Sequence, residues 1–158
     1  MFSLRFDNGA RYAVAPSATR YRRLGIREKK MTVTIERMRE ISAAFNSRDV
    51  ARIVDCFAED GVFCLARGPE SVGRALRGKA AIRQALADRF KQIPDMRWEN
   101  EEYILAEDRA ISLWTVRGKG TDGEDLNYQG CDIYRFDADN KIVHKNTFWK
   151  IVEHKDRL

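Results

Sequence analysis

The stretch from Leu126 to Val152, LNYQGCDIYRFDADNKIVHKNTFWKIV, constrains the fold more than any other part of the chain. It reads as two long strands joined by a tight turn at Asp137-Ala138-Asp139-Asn140, where acidic and amide side chains can hydrogen-bond their own backbone. Side chains alternate across a strand, so Leu126, Tyr128, Gly130, Asp132, Tyr134 and Phe136 share one face. That face is apolar and aromatic except for Asp132. A lone carboxylate among aromatic rings is costly unless it is paired, hydrogen-bonded or protonated. On the second strand, Ile142, His144, Asn146 and Phe148 fall on one side, and Val143, Lys145, Thr147, Trp149 and Ile151 on the other. Asp132 therefore either meets Lys145 across the hairpin or faces a pocket that uses it. Parity alone leaves that register open, so a structural ion pair and a catalytic carboxylate are both open readings.

Upstream the chain reads as helices followed by strands. Thr34 caps a helix with Glu36 in its first turn and Ile35, Met38, Ile41, Ser42 and Phe45 along one stripe. Asp49 caps a second helix, in which Val50, Ile53, Val54 and Phe57 recur at helical spacing. Glu59-Asp60-Gly61 is expected to turn, and Val62 to Leu65 to form a short strand. Arg67 to Arg77, with Gly68, Pro69 and Gly73, reads as a loop with a short edge strand at most. Gly78 opens a third helix with Ile82, Leu86 and Phe90 on one face, and Pro94 closes it. Met96 to Ala106 and Arg109 to Lys119 read as strands, the latter containing AISLWTV. The expectation is an α+β fold: three helices packed on a strongly curved, mostly antiparallel sheet, forming a cone with an internal cavity.

Charge is unevenly distributed. The chain of 158 residues carries a formal net charge of +5. Residues 1–30 hold eight Lys/Arg against two Asp/Glu, while the remainder holds 21 against 22. The basic character thus belongs to the first thirty residues. These are expected to be a disordered extension, possession of Met31 offering an alternative start. An Arg-rich targeting peptide and a basic arm for nucleic acid or lipid are the competing readings. A chain beginning at Met31 is expected to keep the melting temperature of the full chain, which a calorimetric scan of the two would check. Residues 31–158 form the expected domain. That domain shows no clustered basic footprint for nucleic acid and no apolar run of membrane-spanning length.

Three cysteines, Cys56, Cys64 and Cys131, have neither disulfide-framework nor zinc-site spacing and fit a reducing, cytoplasmic compartment. Only two histidines are present, His144 and His154. No His/Cys/carboxylate cluster has metal-ligand spacing, and no cofactor is implied. His144 is expected on the outer sheet face, and Cys64, in VFCL, as a buried small apolar residue. GKGTDG reads as a hairpin turn, because it lacks the strand–loop–helix setting of a phosphate loop.

The order of elements and several motifs resemble the nuclear-transport-factor-two-like superfamily, also called SnoaL-like or ketosteroid-isomerase-like. The motifs are DVARIVDCFAEDGVF, GKAAIRQAL, RAISLWTVRGKGTDG and GCDIYRFDADNKIVHKNTFWK. The resemblance spans about residues 34 to 153 and implies the cone-shaped fold, which hosts isomerases, cyclases, epoxide hydrolases, dehydratases and non-enzymes. In ketosteroid isomerases a strand aspartate of similar wording, kept protonated by an apolar site, donates to an oxyanion. Asp132 matches that position, Trp149 matches a pocket tryptophan, and Lys145 falls where a pocket methionine lies. The family's general-base aspartate falls on Leu65 and its oxyanion tyrosine on Ile41, so steroid isomerisation is not implied. The last-strand aspartate of the epoxide hydrolases falls on Asn146. SnoaL-type cyclases use a pocket aspartate as acid/base, and Asp132 is its equivalent.

The resemblance thus implies a pocket for a small apolar molecule, with Asp132 and Lys145 as catalytic candidates. Tyr128, Tyr134, Trp149 and Trp114 are candidates for lining it. The chemistry would be cofactor-free proton transfer on a carbonyl compound, by a lyase or an isomerase. The alternative is a non-catalytic ligand-binding or interaction module. A homodimer through the outer face of the sheet is expected.

Overall fold

A computed structural model describes residues 33–152. The expected extension over residues 1–30, and His154, lie outside the described residues. The elements run α1 (Ile35–Ser47), α2 (Val50–Asp55), β1 (Phe57–Glu70), β2 (Gly73–Arg77), α3 (Gly78–Gln92), β3 (Arg97–Ala106), β4 (Arg109–Lys119), β5 (Asp125–Phe136) and β6 (Ile142–Trp149). The six strands form one curled, unclosed sheet in the order β2-β1-β6-β5-β4-β3. All neighbouring pairs are antiparallel except β1 and β6, which run parallel. The helices lie against the inner face, and the expected α+β cone is the observed architecture.

Local chemistry explains most boundaries. The Thr34 hydroxyl accepts from the Arg37 amide at 3.1 Å, and Asp49 Oδ1 accepts from the amides of Ala51 and Arg52 at 2.9 and 3.1 Å. Each cap satisfies N–H groups that the helix itself leaves unpaired. Met38, Ile41, Ala44 and Phe45 of α1, and Ile53 and Val54 of α2, are buried with Phe57, Phe63, Ile82, Tyr134 and Phe136 in the main core. At the β5–β6 turn, Asp137 Oδ1 accepts from the amides of Asp139 and Lys141, both at 2.9 Å, and Asn140 takes a φ of 56°. This is the expected Asx chemistry.

Three expectations need correction. The Glu59-Asp60-Gly61 stretch does not end a turn before a new strand. It is absorbed into β1 as an irregularity between Phe57 and Val62, because Phe57 pairs with Ile142 while Val62 already pairs with His144. α2 accordingly stops at Asp55, and Phe57 enters the core as a strand residue. The segment Arg67 to Arg77 is a hairpin of β1 and β2 rather than a loop, and β2 is the short edge strand expected there. Gly73 makes it possible: its φ is 79°, and a Cβ there would lie 1.8 Å from the Leu65 carbonyl oxygen. Third, Ile142 does not share the outer face with His144. A register shift between Arg135 and Phe136 turns it inward, and it is fully buried. Among the described residues no helix is long and apolar enough to cross a membrane.

Candidate functional site

The concave face of the sheet and the helices enclose a cavity of 590 Å³. Its walls come from every part of the chain: Phe45 of α1, Phe63 and Leu65 of β1, Leu86, Arg89 and Phe90 of α3, and the inward residues of β3 to β6. The exposed turn between β4 and β5, with Asp122 and Glu124, and Asp125 at the start of β5 also line the cavity, and the Thr121 amide of that turn donates to the Gln92 carbonyl at the end of α3 at 2.8 Å. Tyr128, Tyr134, Trp149 and Trp114 all line the cavity together with Asp132 and Lys145. Trp149 and Tyr128 pack ring on ring, centroids 5.5 Å apart.

Strand register brings the charged pair together. Asp132 pairs with Ser112 on β4 and Thr147 on β6, and Lys145 pairs with Tyr134 one position along. Because these residues all point inward, Lys145 reaches Asp132 diagonally, Nζ to Oδ1 at 2.6 Å. Both side chains are only 5% exposed, so this pair has left water almost completely. Such burial is tolerated only where every charge and lone pair finds a partner. Asp132 Oδ1 also accepts from the Thr147 hydroxyl at 2.5 Å, and that hydroxyl accepts from Lys145 Nζ at 2.9 Å. Asp132 Oδ2 accepts from Trp114 Nε1 at 2.9 Å and from the Tyr134 hydroxyl at 3.2 Å. Each carboxylate oxygen thus holds two donors.

The lysine is enclosed by aromatic faces: Phe63, Phe45 and Tyr134 centroids lie 4.2, 5.4 and 5.5 Å from Nζ. Ring quadrupoles attract an ammonium there. Burial nevertheless pushes the Lys145 pKa down, while the Asp132 charge and hydrogen bond act against that fall. Burial, and then the Asp132 charge, hold the Tyr134 hydroxyl well above its usual range. Tyr134 is therefore a neutral donor at physiological pH.

Gly130 makes room for the tryptophan. It pairs with Trp114 across β4–β5, and a Cβ on it would lie 2.4 Å from Trp114 Cη2. The indole lies across this bare position and so reaches Asp132. Trp114 was expected as a wall of the pocket; it is also a direct ligand of the carboxylate.

Glu101, Arg89 and Arg67 are among the charged lining residues that escaped the sequence reading. Glu101 accepts from the Ser42 hydroxyl and, at 2.6 Å, from Tyr103. Burial, followed by the effect of Glu101, pushes the Tyr103 pKa up to about 12. Arg89 lies on the Ile82–Leu86–Phe90 stripe of α3, one heptad after Ile82, which is the same kind of anomaly as Asp132 on its strand. Arg67 extends from β1 with its guanidinium 5.6 Å from the centre of the Trp149 ring. Of the dismissed groups, Cys64 is buried, and burial pushes its thiol pKa up. His144 pairs with Arg135 on the outward row and touches Cys64 Sγ at 3.7 Å. Among the described residues no His/Cys/Asp/Glu group could hold a metal ion.

A curled, unclosed sheet covered by three helices over an aromatic, polar-ended cavity is the architecture of the nuclear-transport-factor-two-like class. Residues 35–145 match the SnoaL-like domain, and the chain belongs to that family. Among curated proteins no sequence matches the chain significantly. Solved structures do. A candidate isomerase from Bacillus subtilis superposes with a TM-score of 0.63 at 21% identity, over 73% of this chain and 84% of that one. A candidate polyketide cyclase from Pseudomonas putida gives 0.64 at 16% identity, over 73% and 90%. TerC co-crystallised with polyporic acid gives 0.61 at 21% identity, over 73% and 90%. At these identities the likeness is one of fold.

Proposed function

We propose that the cavity binds a small, mainly apolar carbonyl compound and that the protein is a cofactor-free isomerase or lyase acting on it by proton transfer. The observation that carries this reading is the buried Asp132–Lys145 pair set into the wall of an aromatic cavity. All four hydrogen bonds to the Asp132 carboxylate are ones it accepts, which supports a base rather than a proton donor. In the proposed step a substrate C–H bond next to the carbonyl breaks and its proton passes to Asp132. The electron pair moves onto the carbonyl oxygen, and Lys145 donates to the oxyanion so formed. An ammonium has three donors; Asp132 and Thr147 occupy two. A lone pair on Asp132 becomes available when substrate displaces the long Tyr134 contact of 3.2 Å. The likeness to TerC, crystallised with polyporic acid, supports a small-molecule ligand for a cavity of this fold.

The saturation of Asp132 by four donors favours a second reading, a ligand-binding module without turnover. One experiment separates them. The protein is mixed with 2-tetralone in deuterated water, and loss of the α-proton signals is followed by NMR. Exchange faster than in buffer, abolished in the Asp132→Asn, Lys145→Met double variant under conditions where its circular dichroism shows it folded, supports the enzyme. Binding without exchange supports the module.

The outer sheet face supplies a proposed partner, a second copy of the chain. Ile104, Ile111 and Ile133 form one cross-strand row, and Leu113, Cys131 and Phe148 the next. Ile104 and Phe148 are 53% and 48% exposed. A contiguous apolar patch of this kind is uncommon on a monomer. Sedimentation at micromolar concentration is expected to give a dimer, and Leu113→Lys with Ile133→Lys a monomer. A monomer from the unaltered chain contradicts the proposal.

A further inference from the structure

We infer that the cavity takes a ligand bearing a carboxylate, which Arg67 and Arg89 receive at the mouth while the ligand's carbonyl end reaches Lys145 and Asp132. The inference rests on the small-molecule reading above and adds the charge of the substrate. Arg89 projects from the apolar stripe of α3 and Arg67 from β1, and both line the one cavity. Among the described residues neither guanidinium has a carboxylate within ion-pair distance or a side-chain hydrogen bond. Arg67, exposed at the rim, and half-buried Arg89 are thus left to take an anion.

Desolvation lowers the Arg89 pKa, and the positive charge of Arg67 lowers it further. Arg89 in turn acts against the charge on Lys145. Three cations therefore run from buried Lys145 through half-buried Arg89 to exposed Arg67 along the cavity wall. Of the two acids inside, Asp132 is committed to Lys145, and Glu101 to Ser42 and Tyr103. The remaining lining acids, Asp122 and Glu124 of the turn and Asp125 at the start of β5, are exposed, and water and salt screen them. Two guanidiniums that repel each other in a partly dry site gain most from an anion placed between them. Trp149 lies beneath Arg67, and with Tyr128 it offers a flat apolar face for the body of an aromatic or polycyclic acid. One end of such a molecule would thus be held by charge and the other presented to the buried pair.

The test uses the full chain, calorimetry and two probes of equal shape, naphthalene-2-carboxylate and its neutral counterpart 2-acetylnaphthalene. The acid is expected to bind at least tenfold more tightly than the ketone at low salt. Arg67→Gln with Arg89→Gln should abolish that preference and change ketone affinity by less than about twofold. Should the double variant not fold, Arg67→Gln alone, at the exposed rim, should cut the preference at least threefold. Equal binding of acid and ketone overturns the inference but leaves the carbonyl pocket standing. Binding of neither probe overturns both. An acid preference that survives in the arginine variants places the anion elsewhere and overturns the assignment. A preference that emerges only after Asp122→Asn and Glu124→Gln would show that the arginines serve the turn, and also overturns it.

Discussion

Asp132→Asn is expected to destabilise the protein by about 3–5 kcal/mol near pH 7, the usual cost of removing one partner from a buried ion pair. The amide fits the same space but carries no charge to offset the buried ammonium, and its NH2 must face a donor on one side, either Lys145 and Thr147 or Trp114. The loss should depend on pH with a definite sign. Burial already sets the folded-state pKa of Lys145 below its ordinary value of 10.5, and loss of Asp132 removes the influence that opposes this. A group of depressed folded pKa leaves the unfolded chain binding more protons, so stability rises with pH up to 10.5 and falls as pH drops through the folded pKa. The deficit of the Asn variant should therefore shrink from pH 7 toward pH 10.5. Adding Lys145→Met should restore most of the loss at pH 7, since the pair is then replaced by apolar packing against Phe45, Phe63 and Tyr134. Urea titrations of the three chains at pH 7 and 10 measure both effects. An Asn variant as stable as the parent at pH 7 would mean that Lys145 is not an unpaired ammonium in it.

Gly130→Ala should cost about 1–3 kcal/mol, the range for forcing a methyl group into a packed interior. The new Cβ would meet the Phe148 carbonyl oxygen at 2.3 Å and Trp114 Cη2 at 2.4 Å. The carbonyl belongs to the neighbouring strand and the ring is tied to Asp132, so relief at one contact strains the other. The indole should be pushed off the carboxylate, and the near-ultraviolet circular dichroism of the tryptophans should change. Trp114→Phe in the same chain removes the outer ring atoms and should recover part of the stability. An unaltered near-ultraviolet spectrum in Gly130→Ala would show that the ring does not occupy the place described.

Much of this arrangement was legible because it rests on local rules. Alternation placed Tyr128, Asp132, Tyr134 and Phe136 on the inner face, and the same parity placed Lys145, Thr147 and Trp149 there. Parity names a face, however, and not a partner. Whether Lys145 meets Asp132 depends on a register slip at Arg135/Phe136 that has no marker in the residues. The same slip took Ile142 inward against its parity. The β1 irregularity was misread because Glu59-Asp60-Gly61 has the same chemistry in a bulge as in a turn. Arg89 was legible in principle, as a charge on an apolar helical stripe. Glu101 and Arg67 were not, because their roles depend on how distant strands curve together.

The parallel pairing of β1 with β6 has a consequence for how the chain folds. Until β6 is made, β1 and β5 present open edges toward the gap that it fills, and Asp132 has no Lys145. The β5–β6 side is a local hairpin, but every β1–β6 contact closes a long stretch of chain, and pairings of that kind are slow to form. Exposed edges invite pairing with other chains meanwhile. Insertion of the last strand therefore completes the sheet and neutralises its most expensive buried charge in one event, so nascent chains lacking it are the species most prone to aggregate.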